Sequence, residues 1–150
     1  MAIEPEIMED PVKIRNLMNN ARTKGRPDIV LRCQVRLAQL AGREYQDDLE
    51  REFWTAVHVA EEFATAKNGK TTKLSRTRQK ERRVGVTQCL IDWALDPDTT
   101  EGFRMLCAAQ RPELTGEAIV VRHRDHFDEA VVAGAEAKLR QNGIDPSRVT

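Results

Sequence analysis

The sequence predicts an all-α protein: one compact domain of about six or seven helices, opening with an antiparallel hairpin and carrying a helix-turn-helix-like element at its centre. Three observations lead there. Apolar residues recur three and four apart along most of the chain, which lines them up on one side of a helix. Aspartates and prolines mark helix starts and glycines mark helix ends, at matching intervals. The chain is 40% hydrophobic and 32% charged with few aromatics, which suits solvated helices around a core of Leu, Val, Ile and Ala. No linker or low-complexity stretch divides the 150 residues, so 1–150 reads as a single domain, with 1–10 as a loosely ordered acidic lead-in.

Asp10-Pro11 is a strong helix start, because Asp can accept from free backbone N–H groups and proline at the first position sacrifices no bond. Ile14, Leu17, Met18 and Ala21 then form one stripe, stopped by Gly25. Pro27 opens a second helix with Val30, Cys33, Leu37 and Leu40 on one face and Gly42 closing it. So short a turn between two such helices folds them into a hairpin. A third helix is expected from Asp47 or Asp48, its stripe running Leu49, Phe53, Ala56, Val57, Ala60, Phe63 and Ala64 to a stop at Asn68-Gly69. Val86, Cys89, Leu90, Trp93 and Ala94 mark another helix, ending before Pro97. Asp98 with Glu101 suggests a capping box before Phe103, Leu106 and Cys107. From Pro112 to about Arg122 a helix is expected, although Ile119-Val120-Val121 is a β-branched run open to a short strand. The last helix spans about Asp128 to Gln141, with Asn142-Gly143-Ile144 as its Schellman end.

Several function classes are excluded at this level. No apolar run approaches the ~20 residues that span a bilayer, and Met1 to Asp10 is acidic where a signal peptide would be basic. Cys33, Cys89 and Cys107 are widely spaced, odd in number and set among apolar residues, as reduced core thiols are. A cytoplasmic protein without a membrane partner is the expectation. No metal or cofactor motif is complete. Gly69-Lys70-Thr71 ends like a phosphate loop, but Ala64 stands where its first glycine belongs, and it follows a helix. Asp28 with Glu136-x-Lys138 imitates a nuclease pattern that requires adjacent strands.

The net charge of zero hides where the charge lies. Residues 67–84 hold 8 Lys/Arg against Glu81 alone, while both flanks are acidic, so a partner would be chosen by position rather than by total. A helix over 73–83 would align Lys73, Arg76, Lys80 and Arg83 on one stripe, with Arg78 and Arg82 on another side. Leu74 is the one apolar residue there, so such a helix is no core element. Gly69, Thr71 and Thr72 add donors suited to phosphate oxygens, and Val84-Gly85-Val86 turns into the next helix. The candidate nucleic-acid contacts are therefore Lys70, Lys73, Arg76, Arg78, Lys80, Arg82 and Arg83, with Arg76 or Arg78 reaching a base edge. Against this stands a plain solvated face, its charge answered within the chain by Glu50, Glu61, Glu62, Asp92 or Asp96.

The favoured function is thus a non-enzymatic nucleic-acid-binding protein, for DNA before RNA, that grips the phosphate backbone; a homo-oligomer is compatible with it. The alternative is an interaction module for an acidic protein, using the first hairpin and an exposed Trp54 edge beside His58, whose proton affinity Glu62 one turn on would raise. A Trp on a polar face more often covers a neighbouring helix, and that is the favoured reading of Trp54 itself. A third reading is a metal-dependent enzyme or nuclease subunit drawing on Glu117, His123 and His126. Arg122, His123, Arg124 and His126 form a secondary anion or metal patch, the flanking arginines favouring the anion.

Overall fold

The structure, a computed structural model, describes residues 4–150; the first three residues of the acidic lead-in lie outside the described residues. It is all-helical, with seven α-helices and no strand among the described residues: α1 (Pro11–Thr23), α2 (Pro27–Gly42), α3 (Asp48–Asn68), α4 (Ser75–Leu95), α5 (Glu101–Ala108), α6 (Gly116–Arg122) and α7 (Glu129–Gln141). No helix is long and apolar enough to cross a membrane among those residues.

Local chemistry sets the helix ends. Asp10 accepts from the Val12 N–H at 3.0 Å and Asp47 from the Glu50 N–H at 3.0 Å, meeting donors that the first turn leaves free. Gly25, Gly69 and Gly143 turn the chain with positive φ behind α1, α3 and α7. At the last of these the Ile144 N–H donates to Leu139 O at 2.9 Å, the Schellman bond expected from Asn142-Gly143-Ile144. Two ends differ from the expectation. Thr100, not Asp98, caps α5 by accepting from the Phe103 N–H. Gly42 is a buried residue inside the last turn of α2, where a Cβ would come within 2.6 Å of Thr55 Oγ1 on α3. It is there for close helix approach, not for a left-handed stop.

Packing begins with the hairpin. Ile14, Met18 and Ala21 of α1 meet Ile29, Cys33 and Leu37 of α2, and because the Gly25 turn is so short the two helices run back along each other. Residues 4–10 lie against α2. Pro5 is buried, Glu6 pairs with Arg32, and the Arg36 guanidinium donates to Met8 O and Glu9 of the same segment.

Helix α3 is the central strut, buried on more sides than its apolar stripe announces. Phe53 and Val57 enter the main core with Leu90, Ile119 and Leu139, while Val59 and Phe63 meet Ala38 of α2 and Leu106 of α5. Helix α6 is short, yet Ala118 through Val121 are all buried against α3, α4 and α7. A run buried on every side has no polar face, which is why it showed no helical period and could pass for a strand. Thr115 caps it through the Ala118 N–H.

Helix α4 is broken inside its span. Gly85 has φ +88° and ψ +169°, a conformation essentially reserved for glycine. In a straight helix Lys80 and Asp92 would stand about 18 Å apart; here they form an ion pair, so the two halves fold toward each other across the glycine.

Candidate functional site

The basic segment is built outward from one buried carboxylate. Glu61, one turn of α3 after Val57 and two after Trp54, is only 4% exposed. Its Oε2 accepts from the Leu74 N–H at 2.8 Å and from Arg78 Nε at 2.7 Å, and Oε1 accepts from Arg78 Nη2 at 2.7 Å. Lys73 Nζ lies 3.8 Å away and His58 Nδ1 3.5 Å away. Burial alone would raise the Glu61 carboxyl; the Arg78 fork, the Leu74 N–H and the charges of Arg78 and Lys73 outweigh it and hold the group below its ordinary value. Arg78 also lies 5.3 Å above the Trp54 ring, which stacks on Tyr45 at 5.5 Å and meets Phe53 edge-on at 5.2 Å.

These contacts correct three expectations. Helix α4 starts at Ser75, so Lys73 stands in the irregular approach at 71–74 and cannot share a helical stripe with Arg76, Lys80 and Arg83. Trp54 is 6% exposed and offers no edge to a partner, being covered by Arg78 and Tyr45. Glu62 pairs with Arg15 at 2.9 Å rather than with His58. His58 is held below its ordinary value by burial and by Arg78 and Lys73, which outweigh the pull of Glu61.

The segment's cations fall into two sets. Arg78 is taken by Glu61, Lys80 by Asp92 and Lys67 by Glu101. Of the acidic neighbours that could have neutralised the segment, Glu61 and Asp92 do so. Lys70, Arg76, Arg82 and Arg83 are exposed and form no ion pair among the described residues, and Lys73 is exposed with only its long contact to Glu61.

The second cluster is mostly engaged within the chain. Arg122 donates to Glu52 at 3.0 Å and to the carbonyls of Glu113 and Val149 at 2.8 Å, tying α6 to α3 and to the C-terminal turn. His123 pairs with the other oxygen of Glu52. Arg124 and His126 are exposed, His126 with its ring 5.9 Å from that of His123. Glu117 is elsewhere, buried near Lys138, so Glu117, His123 and His126 share no site. No group of three or more His, Cys, Asp or Glu fit to hold a metal ion occurs among the described residues. The nuclease-like residues are also dispersed: Asp28 pairs with Arg26, Glu136 with Arg140, and Lys138 is buried.

Two features are not legible in the sequence. Glu61 is one of several acidic residues able to answer the basic run, and only the fold singles it out. The other is a cavity between α3, α5 and α6 whose signal, Gly116 beneath Trp93, depends on a tertiary contact. Comparison with protein-family models, with curated proteins and with solved structures finds no match for this chain.

Proposed function

We propose that this chain is a non-enzymatic nucleic-acid-binding protein, for DNA before RNA, that holds the phosphate backbone with Lys70, Lys73, Arg76, Arg82 and Arg83. The observation that carries the reading is the division of the segment's charge. Three of its cations are paired with carboxylates of the same chain, yet Lys70, Arg76, Arg82 and Arg83 keep exposed, unpaired charge within 14 residues, 70–83. Cations crowded this way repel one another, and a polyanion relieves that repulsion while releasing its own counterions.

Arg78 and Lys80 leave the list of contacts and become supports. Arg78 fixes the start of α4 on α3, and Lys80 holds the two halves of α4 together across Gly85. In this reading the two halves of α4, broken at Gly85, act as a helix-turn-helix-like element that presents its first half, and the non-helical Gly85 supports it. Arg76 and Arg83, seven residues apart, share a face about 10 Å long. With Arg78 occupied, Arg76 is the arginine left to reach a base edge.

The test is binding of a DNA duplex by fluorescence anisotropy across a salt series. Five phosphate contacts give a slope of log K on log salt of about −4 to −5. Replacing Arg76 and Arg83 together by Gln reduces the slope by about 2, while Lys80→Gln leaves it unchanged. A slope near zero, or one indifferent to the Arg76/Arg83 change, overturns the proposal. Capture of a single stoichiometric protein that survives nuclease treatment, without duplex binding, transfers the surface to an acidic protein partner.

A further inference from the structure

A cavity of about 390 Å³ opens between α3, the start of α4, α5 and the turn into α6, a size within the range of small-molecule sites. Its wall is mainly apolar: Ala60 and Ala64 from α3, Leu74 from the approach to α4, Phe103 and Leu106 from α5, and the Trp93 ring. The Lys67–Glu101 ion pair at 2.8 Å joins the end of α3 to the start of α5 at its edge.

One wall residue does not belong in such company. Glu117 is 4% exposed, and its Oε2 is sealed from bulk water without a hydrogen-bond partner, the only such side-chain atom among the described residues. Lys138 Nζ approaches Oε1 only to 3.9 Å, beyond hydrogen bonding, and spends its donors on Trp93 O at 2.6 Å and Asp98 O at 3.2 Å. An orphaned carboxyl oxygen in an apolar interior is costly, and native proteins keep few of them. The last torsion of a Glu side chain is broad, so the carboxyl can turn this oxygen toward the cavity its residue borders.

We propose that the cavity is a binding site for a small, uncharged, largely apolar molecule bearing one hydroxyl group, of the alcohol or phenol class, whose hydroxyl is held by Glu117. Charge and hydrogen-bonding capacity select that class. The Lys138 ammonium already sits beside Glu117, so an amine would bring a second cation into an interior that holds one. A hydroxyl both donates and accepts, so it satisfies the carboxylate and the carboxylic acid alike, where a carbonyl or an ether serves only the acid. The apolar body fills the space between Ala60, Phe103 and Leu106.

The experiment titrates the full chain with phenol, benzene and benzylamine, followed by methyl and backbone NMR shifts of the wall residues. The expected result is saturable binding of phenol with shifts confined to the wall, at least tenfold tighter than benzene, and benzylamine no tighter than benzene. Glu117→Gln reduces the preference for phenol over benzene, and Ala64→Phe, which fills the cavity, removes binding of both. Should the Ala64→Phe variant fail to fold, the phenol-to-benzene ratio in Glu117→Gln decides alone. Absence of saturable shifts, equal affinity for phenol and benzene, benzylamine binding tighter than phenol, or a ratio unchanged in Glu117→Gln each overturns the assignment.

Discussion

The Arg78 guanidinium is clamped on both oxygens of Glu61, Nε to Oε2 and Nη2 to Oε1, each at 2.7 Å. The pair is unequal in burial: Glu61's side chain is 5% exposed and Arg78's 26%. Removing the arginine strands a charge inside the protein, whereas removing the carboxylate leaves a guanidinium that can still reach water. Arg78→Gln is therefore expected to cost about 3–5 kcal/mol, and Glu61→Gln about 1–3 kcal/mol. Urea unfolding of the two variants measures this; the reverse order sinks the role of Glu61 as the buried anchor of α4.

Glu117 makes a pH prediction of opposite sense to the protein's paired acids. Burial pushes its carboxyl up to about 7, against the pull of Lys138. Between about 4.5 and 7 the folded state keeps a proton that the unfolded state has released, so this group's contribution to stability falls as pH rises through that window and levels off above it. The loss amounts to about 3 kcal/mol. His58, held down by burial, works the other way: its contribution rises with pH toward 6.5, and the lowered carboxyl of Glu61 acts below 4.5. Comparing the wild type with Glu117→Gln cancels both. The variant's stability relative to wild type is expected to grow from about pH 5 to about pH 8; a difference constant with pH shows that Glu117 is not raised.

At Gly85 the expected cost is one of backbone strain. The residue has φ +88° and ψ +169°, and a Cβ placed on it would find nothing within 4 Å, so Gly85→Ala meets no clash yet must leave its conformation. About 1–3 kcal/mol is expected, together with loss of the Lys80–Asp92 pair as the halves of α4 straighten. Denaturation gives the first, and the Asp92 carboxyl titration by NMR gives the second, since Lys80 is the main cause of its lowered value. Unchanged stability and an unchanged Asp92 titration would together refute the folded-back arrangement.

The helices are legible in the sequence because most of them carry their own local signals. Asp10, Asp47, Gly25, Gly69 and Gly143 act within a turn of themselves, and stripes such as Leu49–Phe53–Val57 need no knowledge of a partner. Long-range pairing is not legible. That Arg78 and Lys80 turn inward while Arg76 and Arg83 stay exposed follows from where Glu61 and the second half of α4 lie, not from spacing within 73–83. Trp54 shows the same limit: a Trp on a polar side of α3 is expected to be covered, but that Arg78 and Tyr45 cover it is set by the fold. Asp98 and Thr100 are both plausible caps two residues apart, and only the path of the chain into α5 chooses Thr100.

Two glycines on opposite sides of the cavity are expected to respond to alanine with opposite signs. A Cβ on Gly116 would stand 2.4 Å from Trp93 Cε3 and 3.1 Å from Cζ3. The ring has little freedom to yield, because it is stacked on Phe53 with centroids 5.4 Å apart and planes 22° from parallel. Gly116→Ala therefore costs about 1–3 kcal/mol through overpacking. A Cβ on Gly102 would meet Ala60 Cβ at 3.7 Å, an ordinary contact, and its helical position gains about 0.5–1 kcal/mol from alanine. Thermal unfolding of the two single variants reads the signs directly. If Gly116→Ala is as stable as Gly102→Ala, Trp93 is not wedged against α6, and the ring does not form that wall of the cavity.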